Sequence, residues 1–298
     1  MAKIELHVLG TASMVPTKDR NLTSIFLSYE NKGILFDCGE GTQRQMKIVG
    51  IKPNKINMIF ISHWHGDHVL GLPGLLQTLG NSDYDKTLHI YGPKGTKKYL
   101  EYMLKGFIFD TKIDMEINEI EKGMVYENDD FFIETNKLKH SVECLGYSFI
   151  EKDKRKMNEN KLDELNIKGP NIGKLQKGEI IKINNKIIKP DEVSSLIKGK
   201  KITIIFDTEP CTNAIKLSEN ANLLVCEATY HSDLDEKSLQ YKHMTAKNAA
   251  LLANEANVKK LILTHFSGRY KTTDDIEKEA KDIFPNSVCA YDFMKIKL

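Results

Sequence analysis

Four side chains able to bind a metal ion fall within six positions of one short stretch, ISHWHGDH at residues 61–68: His63, His65, Asp67 and His68. Neutral imidazole nitrogen and carboxylate oxygen suit zinc and similar borderline divalent ions, at bond lengths of about 2.0–2.2 Å. Alternate residues of extended backbone point to the same side, so His63 and His65 can serve one ion together. Asp67 and His68, turning the corner, can face a second. Asp37, His140, Asp207 and His265 each follow an apolar strand-like run, which makes ligands enough for two sites. Lone histidines at strand ends, such as His7 and His89, are read as structural, and Trp64 as packing or framing.

These groups are useful only if strands and turns hold them together. β-favouring residues 58–62 lead into the histidine turn, and an apolar helix-like run, residues 69–79, leaves it. Upstream, residues 4–9, 24–29 and 33–37 read as strands, the last opening into DCGEGTQRQ, where Gly39 and Gly41 suit a strand-to-helix turn. Residues 88–91 read as a strand and 96–104 as a helix; short strands then fill 115–150, with His140 following the strand at 131–138. Strand and helix alternate again over residues 201–206, ending at Asp207, then 223–227, 246–256, 261–264, ending at His265, and 274–284. The first and last thirds thus repeat one plan, with polar metal-binding types just past the carboxyl ends of apolar strands. The pattern predicts an α/β fold of two mixed sheets face to face, helices outside, and the site at one edge.

A chain of 298 residues admits one or two domains, and a single domain spanning residues 1–298 is the reading favoured. Hydrophobic content of 41%, charged content of 28% and a mean hydropathy of −0.38 describe a soluble globular protein. The 43 basic and 41 acidic residues nearly cancel, but unevenly. Residues 151–190 hold ten Lys and one Arg against six acids, few aromatics, and Gly169, Pro170, Gly173 and Gly178 close together. That stretch reads as a projecting insertion, its charge either a solvated surface or a handle for polyanions. Five scattered cysteines without a C-x-x-C pair read as reduced thiols of a cytoplasmic compartment. Residues 1–10 lack a signal-peptide core, and no apolar run approaches the roughly 18 residues of a membrane span.

The histidine stretch resembles the signature of the metallo-β-lactamase superfamily, whose αββα sandwich matches the architecture expected above. PTKDRN at residues 16–21, FDCGEGTQRQ around Asp37, KHSVECLGY around His140, FDTEPC at Asp207, His243-Met244-Thr245, and HFSGRY at residues 265–270 together resemble ribonuclease Z, the endonuclease that matures the 3′ end of tRNA precursors. Residues 151–190 resemble the flexible arm of its short form, an exosite with a Gly-Pro motif at Gly169-Pro170.

The resemblance implies two zinc ions per subunit, with manganese or another divalent ion as the alternative. His63, His65 and His140 would hold one and Asp67, His68 and His265 the other, with Asp207 bridging; Asp37 would orient ligand histidines without binding metal. It also implies a precursor tRNA substrate, a homodimer, and hydrolysis by metal-activated water after the discriminator nucleotide, leaving a tRNA 3′-hydroxyl and a trailer 5′-phosphate. Asp67 is the general-base candidate, and His243, oriented by Glu227, would protonate the leaving oxygen. Met244 departs from the small or acidic residue usual between that histidine and threonine. Lys18, Arg20 and Arg269 would contact phosphates near the cut. The rival reading is another hydrolase of the same fold acting on a small phosphodiester or thioester, which has no need of a basic projection.

Overall fold

Strand β2, Ser24–Tyr29, is buried along almost its whole length, as a strand must be when both faces of its sheet are covered. In the computed structural model, which describes residues 3–108, 112–183 and 186–298, most strands near the middle of the two large sheets share that property. The order begins β1 (Ile4–Gly10), β2, β3 (Lys32–Phe36), α1 (Thr42–Ile48), β4 (Ile56–Phe60), α2 (Gly66–Val69), α3 (Leu72–Gly80), β5 (Leu88–Gly92), α4 (Thr96–Lys105) and β6 (Met115–Glu119). It continues with β7 (Gly123–Glu127), β8 (Phe131–Leu138) and β9 (Cys144–Glu151). An inserted unit follows: β10 (Lys154–Met157), α5 (Glu159–Glu164), α6 (Pro170–Gln176), β11 (Ile181–Ile183), β12 (Lys186–Ile188), α7 (Pro190–Val193) and β13 (Ser194–Ile197). The chain closes with β14 (Lys201–Ile205), α8 (Thr212–Ser218), β15 (Leu223–Glu227), α9 (Asp235–Gln240), α10 (Ala246–Glu255), β16 (Leu261–Thr264), α11 (Asp274–Ile283), β17 (Ser287–Cys289) and β18 (Lys295–Lys297).

Two seven-stranded sheets result, ordered β18-β1-β2-β3-β4-β5-β6 and β17-β16-β15-β14-β9-β8-β7. Each is antiparallel over one half and parallel over the other: β3, β4, β5 and β6 run parallel in the first sheet, and β14, β15, β16 and β17 in the second. The inner faces share one apolar core, in which Ile25, Phe36 and Phe60 of the first sheet meet Phe131, Tyr147 and Val225 of the second. Outside, α1, α3 and α4 cover the first sheet, while α8, α10 and α11 cover the second. This is the expected α/β sandwich of two mixed sheets flanked by helices. Each fully buried Leu, Ile or Phe contributes about 1.5–3 kcal/mol by leaving water, and the strand ends are fixed by that packing.

The helix expected over residues 69–79 is divided into α2 and α3 at Gly71. The Gly71 N–H donates to the Cys38 carbonyl (2.9 Å) and the Cys38 N–H to that of His68 (2.8 Å). A Cβ on Gly71 would lie 2.1 Å from the Gly39 carbonyl oxygen, so only glycine allows the histidine turn to dock on the loop after β3. Residues 154–197 form a unit with a small core of its own, Leu162, Ile167, Leu175, Ile181, Ile188 and Val193. Its stem pairs β10 with β13 from Lys154↔Ile197 to Met157↔Ser194, so the excursion returns at Ile197 rather than at residue 190. Asn184 and Asn185, within the expected arm, lie outside the described residues.

Candidate metal centre

Every candidate ligand sits just past a strand, on one edge of the sandwich, where parallel strands leave a crevice at their carboxyl ends. The turn at residues 61–68 leaves β4 and is fastened to the opposite sheet. The Leu145 N–H donates to the Ser62 carbonyl (2.9 Å), and the Tyr147 hydroxyl to that of Ile61 (2.6 Å). Phe60, last residue of β4, packs between Tyr91 and Tyr147 with ring centroids 4.7 and 5.2 Å away. His140 follows β8, Asp207 follows β14, and His265 follows β16 in a left-handed conformation (φ 61°). Asp37, after β3, is left-handed too (φ 55°); such geometry persists in a non-glycine residue only where its surroundings fix it.

Two donor sets converge on opposite oxygens of Asp207. His63 Nε2 and His140 Nε2 lie 3.6 and 3.7 Å from Asp207 Oδ2, and His65 Nδ1 lies 3.0 and 3.3 Å from those two nitrogens. On the other side His68 Nε2 and His265 Nε2 are each 3.2 Å from Asp207 Oδ1. Asp67 Oδ2 completes that set at 3.4 and 3.6 Å from the two nitrogens. Donors held tetrahedrally about 2.0–2.1 Å from one ion are roughly 3.3–3.4 Å apart, which is the spacing of both sets. His68 Nε2, His265 Nε2 and Asp207 Oδ1 are buried without any hydrogen-bond partner, a costly state for three polar atoms unless a cation lies among them.

Most of the histidines are held with the second ring nitrogen occupied. His68 Nδ1 donates to Asp37 Oδ2 (2.6 Å), and His140 Nδ1 to the Lys242 carbonyl (3.0 Å). Burial pushes the His63 and His140 pKa values down, favouring the neutral ligand form. Burial acts the same way on His68, but Asp207, Asp37 and Asp67 outweigh it and drive its pKa well up; a metal cation meets the same carboxylates' demand for positive charge. Asp67 is half-buried, and desolvation alone would raise its pKa, yet the facing His68 and His265 keep it ionised. The Met14 N–H donates to its Oδ2 (2.8 Å).

Beside the cluster, His243 Nδ1 lies 3.1 Å from both oxygens of the fully buried Glu227. Burial opposes its charge, but Glu227 and then Asp207 prevail and raise its pKa to about 9. Met244 points away into the core beneath α10, and Thr245 caps that helix by accepting the Asn248 N–H (3.2 Å), so the middle residue of this motif is free to be apolar. A cavity of about 760 Å³ opens over these groups, lined by His65, Asp67, Asp207, His243 and Arg269 among others. Arg269 is stacked over Tyr230, 5.2 Å from its centroid.

The other expected contacts are dispersed. Lys18 is fully exposed beside Asp19. Arg20 is turned inward, donating to the Tyr270 carbonyl and lying over Phe266, so it ties the two loops together rather than offering its charge at the surface. Gly169 (φ 62°) and Pro170 begin α6 in the inserted unit. His7 packs on Phe26, and His89 faces Glu116 at 3.2 Å, both remote from the cluster. Sequence reasoning missed Ser62 and Thr229, whose hydroxyls touch His63 and His265; a hydroxyl residue beside a ligand histidine or a buried acid was the available signal.

A family model described as Anti-Pycsar protein Apyc1 matches residues 4–156, a span that contains the histidine turn and His140 but stops before Asp207, His243 and His265. Full-length relatives cover the rest. The chain is 42% identical over 297 residues to ribonuclease Z of Methanothermobacter thermautotrophicus, covering 99% of this chain and 97% of that one. It is 40% identical over 295 residues to ribonuclease Z of Protochlamydia amoebophila (99% and 96% covered), and 41% identical over 299 residues to that of Bacillus cereus (97% of each). Among solved structures, human tRNase Z, short form, superposes with a TM-score of 0.72 at 24% identity over 98% of both chains. The metallo-β-lactamase fold protein YhfI of Bacillus subtilis does so with 0.73 at 19% identity over all of both. The structural likenesses carry the fold, the full-length identities carry the family, and together they make this chain a member of the ribonuclease Z family of the metallo-β-lactamase superfamily.

Proposed function

We propose that this chain is a metal-dependent endoribonuclease that removes the 3′ trailer from precursor tRNA, cutting after the discriminator nucleotide. The observation that carries the reading is the pair of donor sets sharing Asp207, in a chain related over its full length to ribonuclease Z. His63, His65 and His140 would hold one ion, Asp67, His68 and His265 the other, and Asp207 would give an oxygen to each; two zinc ions per subunit suit these donors, with manganese an alternative. When bound, such a pair supplies the charge that neutralises the phosphoryl transition state and acidifies the attacking water.

The chain's own groups do the rest. Asp67, whose Oδ2 faces His68 and His265, accepts a hydrogen bond from the water and aims it, acting as the base at the moment of attack. His243, pinned through Nδ1 by Glu227, whose carboxylate favours its protonated form, keeps Nε2 for the cavity and donates its proton to the departing 3′ oxygen. The 2′-hydroxyl takes no part, so the tRNA ends in a 3′-hydroxyl and the trailer in a 5′-phosphate. Arg269 and Lys18 neutralise phosphates flanking the cut. The inserted unit, with Gly169-Pro170 exposed, grips the tRNA by its phosphate backbone and A-form shape, in a homodimer whose arms reach across to the tRNA cut by the partner. Among the described residues no helix is long and apolar enough to cross a membrane, and the five free thiols suit a reducing cytoplasm.

Metal analysis of the purified protein, coupled to end-mapping of a cleaved precursor tRNA, tests the reading. Two divalent ions per chain, chelator-sensitive cleavage after the discriminator, and a 5′-phosphorylated trailer are expected. A cyclic 2′,3′-phosphate on the tRNA product, or undiminished cleavage in chelator, overturns it.

A further inference from the structure

One buried carboxylate from each sheet stands behind the cluster, and the two are wired alike. In the first sheet, Asp37 takes the His68 Nδ1–H directly at 2.6 Å and reaches His63 through a hydroxyl. Ser62 Oγ lies 2.6 Å from Asp37 Oδ2 and 2.9 Å from His63 Nδ1. In the second, Glu227 takes the His243 Nδ1–H directly at 3.1 Å and reaches His265 through another. Thr229 Oγ1 lies 2.7 Å from Glu227 Oε2 and 3.0 Å from His265 Nδ1. Both hydroxyl residues are about 1% exposed, and both carboxylates are fully buried, so water has no access to these links.

A hydroxyl has one proton, and a carboxylate can only accept it. The Ser62 proton therefore goes to Asp37. The Thr229 proton goes to Glu227, which is charged and closer than the competing His265 carbonyl at 3.0 Å. Each hydroxyl then presents a lone pair to its imidazole, whose Nδ1 must carry the ring proton. The consequence lies across the ring: Nε2 is left bare and directed at Asp207, on Oδ2 for His63 and on Oδ1 for His265.

We propose that Ser62 and Thr229 are positioning residues that lock His63 and His265 in the metal-binding tautomer. Thr229 further links the carboxylate that orients His243 to the second donor set. The inference rests on the two-ion reading of the site, not on the identity of the RNA substrate. Hydrogen-bond partners of ligand histidines typically govern metal affinity by about 10- to 100-fold, and the two hydroxyls divide that effect between the two sets.

The experiment compares T229V, which keeps the shape and loses the hydroxyl, with T229S, which restores it, by titrating zinc into chelator-treated protein. T229V should bind its weaker zinc about 10- to 100-fold less tightly and retain one ion after dialysis, while T229S stays within a few-fold of wild type and binds two. S62A should show the complementary loss at the set containing His63. Zinc affinities of T229V within twofold of wild type overturn the proposal, as does equal loss in T229V and T229S, which would mark a packing role. Should T229V fail to fold, 15N NMR of the histidine rings in zinc-loaded wild-type protein decides. His63 and His265 must carry their proton on Nδ1 and their metal on Nε2, and the reverse in either ring overturns it. Wild-type protein that takes up no divalent ion sinks both this inference and the proposed reaction; wild-type protein with two ions and no cleavage of precursor tRNA sinks the reaction alone, while the zinc comparison still supports or overturns the tautomer lock.

Discussion

The sandwich and the inserted unit at residues 154–197 solve opposite problems. The sandwich holds a cluster of ionisable groups at ion-binding distances from one another. It does so with a core shared by both sheets and hydrogen bonds that cross between them, such as Tyr147 to Ile61. Among its described residues the inserted unit has a core of six buried apolar side chains, small for a segment of its length. It is anchored to the sandwich at one neck: the Glu151 N–H donates to the Lys200 carbonyl (2.9 Å), the Lys152 N–H to that of Asp130 (2.8 Å), and Lys154 pairs with Asp130 (2.8 Å). Chemistry that tolerates no displacement sits where packing is deepest, and the basic surface sits where the chain can be altered without disturbing that packing. Each region should therefore fail in its own way.

The largest expected effect is on the sandwich side. Asp207→Ala removes the carboxylate shared by both donor sets and leaves five imidazoles without their common counter-charge. Losing a single preorganised electrostatic contact already costs about 10²–10³ in rate, so hydrolysis of precursor tRNA and of a small chromogenic phosphodiester should both fall by at least about 10³-fold. Retention of either activity within tenfold would show that the cluster is not the reaction centre for that substrate.

The inserted unit should discriminate between the two substrates. Gly199 packs so closely on Glu151 that a Cβ there would be 1.9 Å from the Glu151 carbonyl oxygen, so the neck can be closed by replacing residues 154–197 with a two-glycine turn. Precursor tRNA cleavage should drop by about two orders of magnitude, and the salt dependence of binding should flatten by about 0.7–0.9 log units per lost phosphate contact. Hydrolysis of the small phosphodiester should stay within about twofold. Parallel loss of both activities in a folded protein would erase the distinction between the regions. Full retention of both would instead show that the inserted unit does not hold the tRNA.

That distinction was partly legible in the sequence. The strand ends bearing Asp37, Asp207 and His265 could be read because their strands are apolar runs of adequate length, and residues 61–68 because four ligand types crowd together. The basic insert stood out by charge, but its elements are three to seven residues long, too short for any hydrophobic period to register. Arg20 looked like a surface base; its inward course depends on the Tyr270 carbonyl, 250 positions away. Ser62 and Thr229 offered only the weak signal of a hydroxyl next to a ligand histidine or near a buried acid, since a hydroxyl acquires its role only when the fold sets a carboxylate on one side and an imidazole on the other. The break between α2 and α3 follows from a backbone contact to Gly39 that no local pattern reports.

The smallest effect tests the sandwich's rigidity without touching a ligand. Tyr147→Phe keeps the ring against Phe60 and deletes only the hydroxyl that donates to the Ile61 carbonyl at 2.6 Å. A buried acceptor left unsatisfied costs about 1–3 kcal/mol, which in a domain of this size lowers the unfolding midpoint by several degrees. The Leu145-to-Ser62 bond remains, so the histidine turn should loosen without detaching, and both phosphodiester substrates should lose the same few-fold in turnover. An unchanged midpoint would mean that the turn is fixed from within its own sheet, through Asp37 and Cys38; a loss confined to precursor tRNA would mean that the hydroxyl serves substrate binding instead of the metal centre.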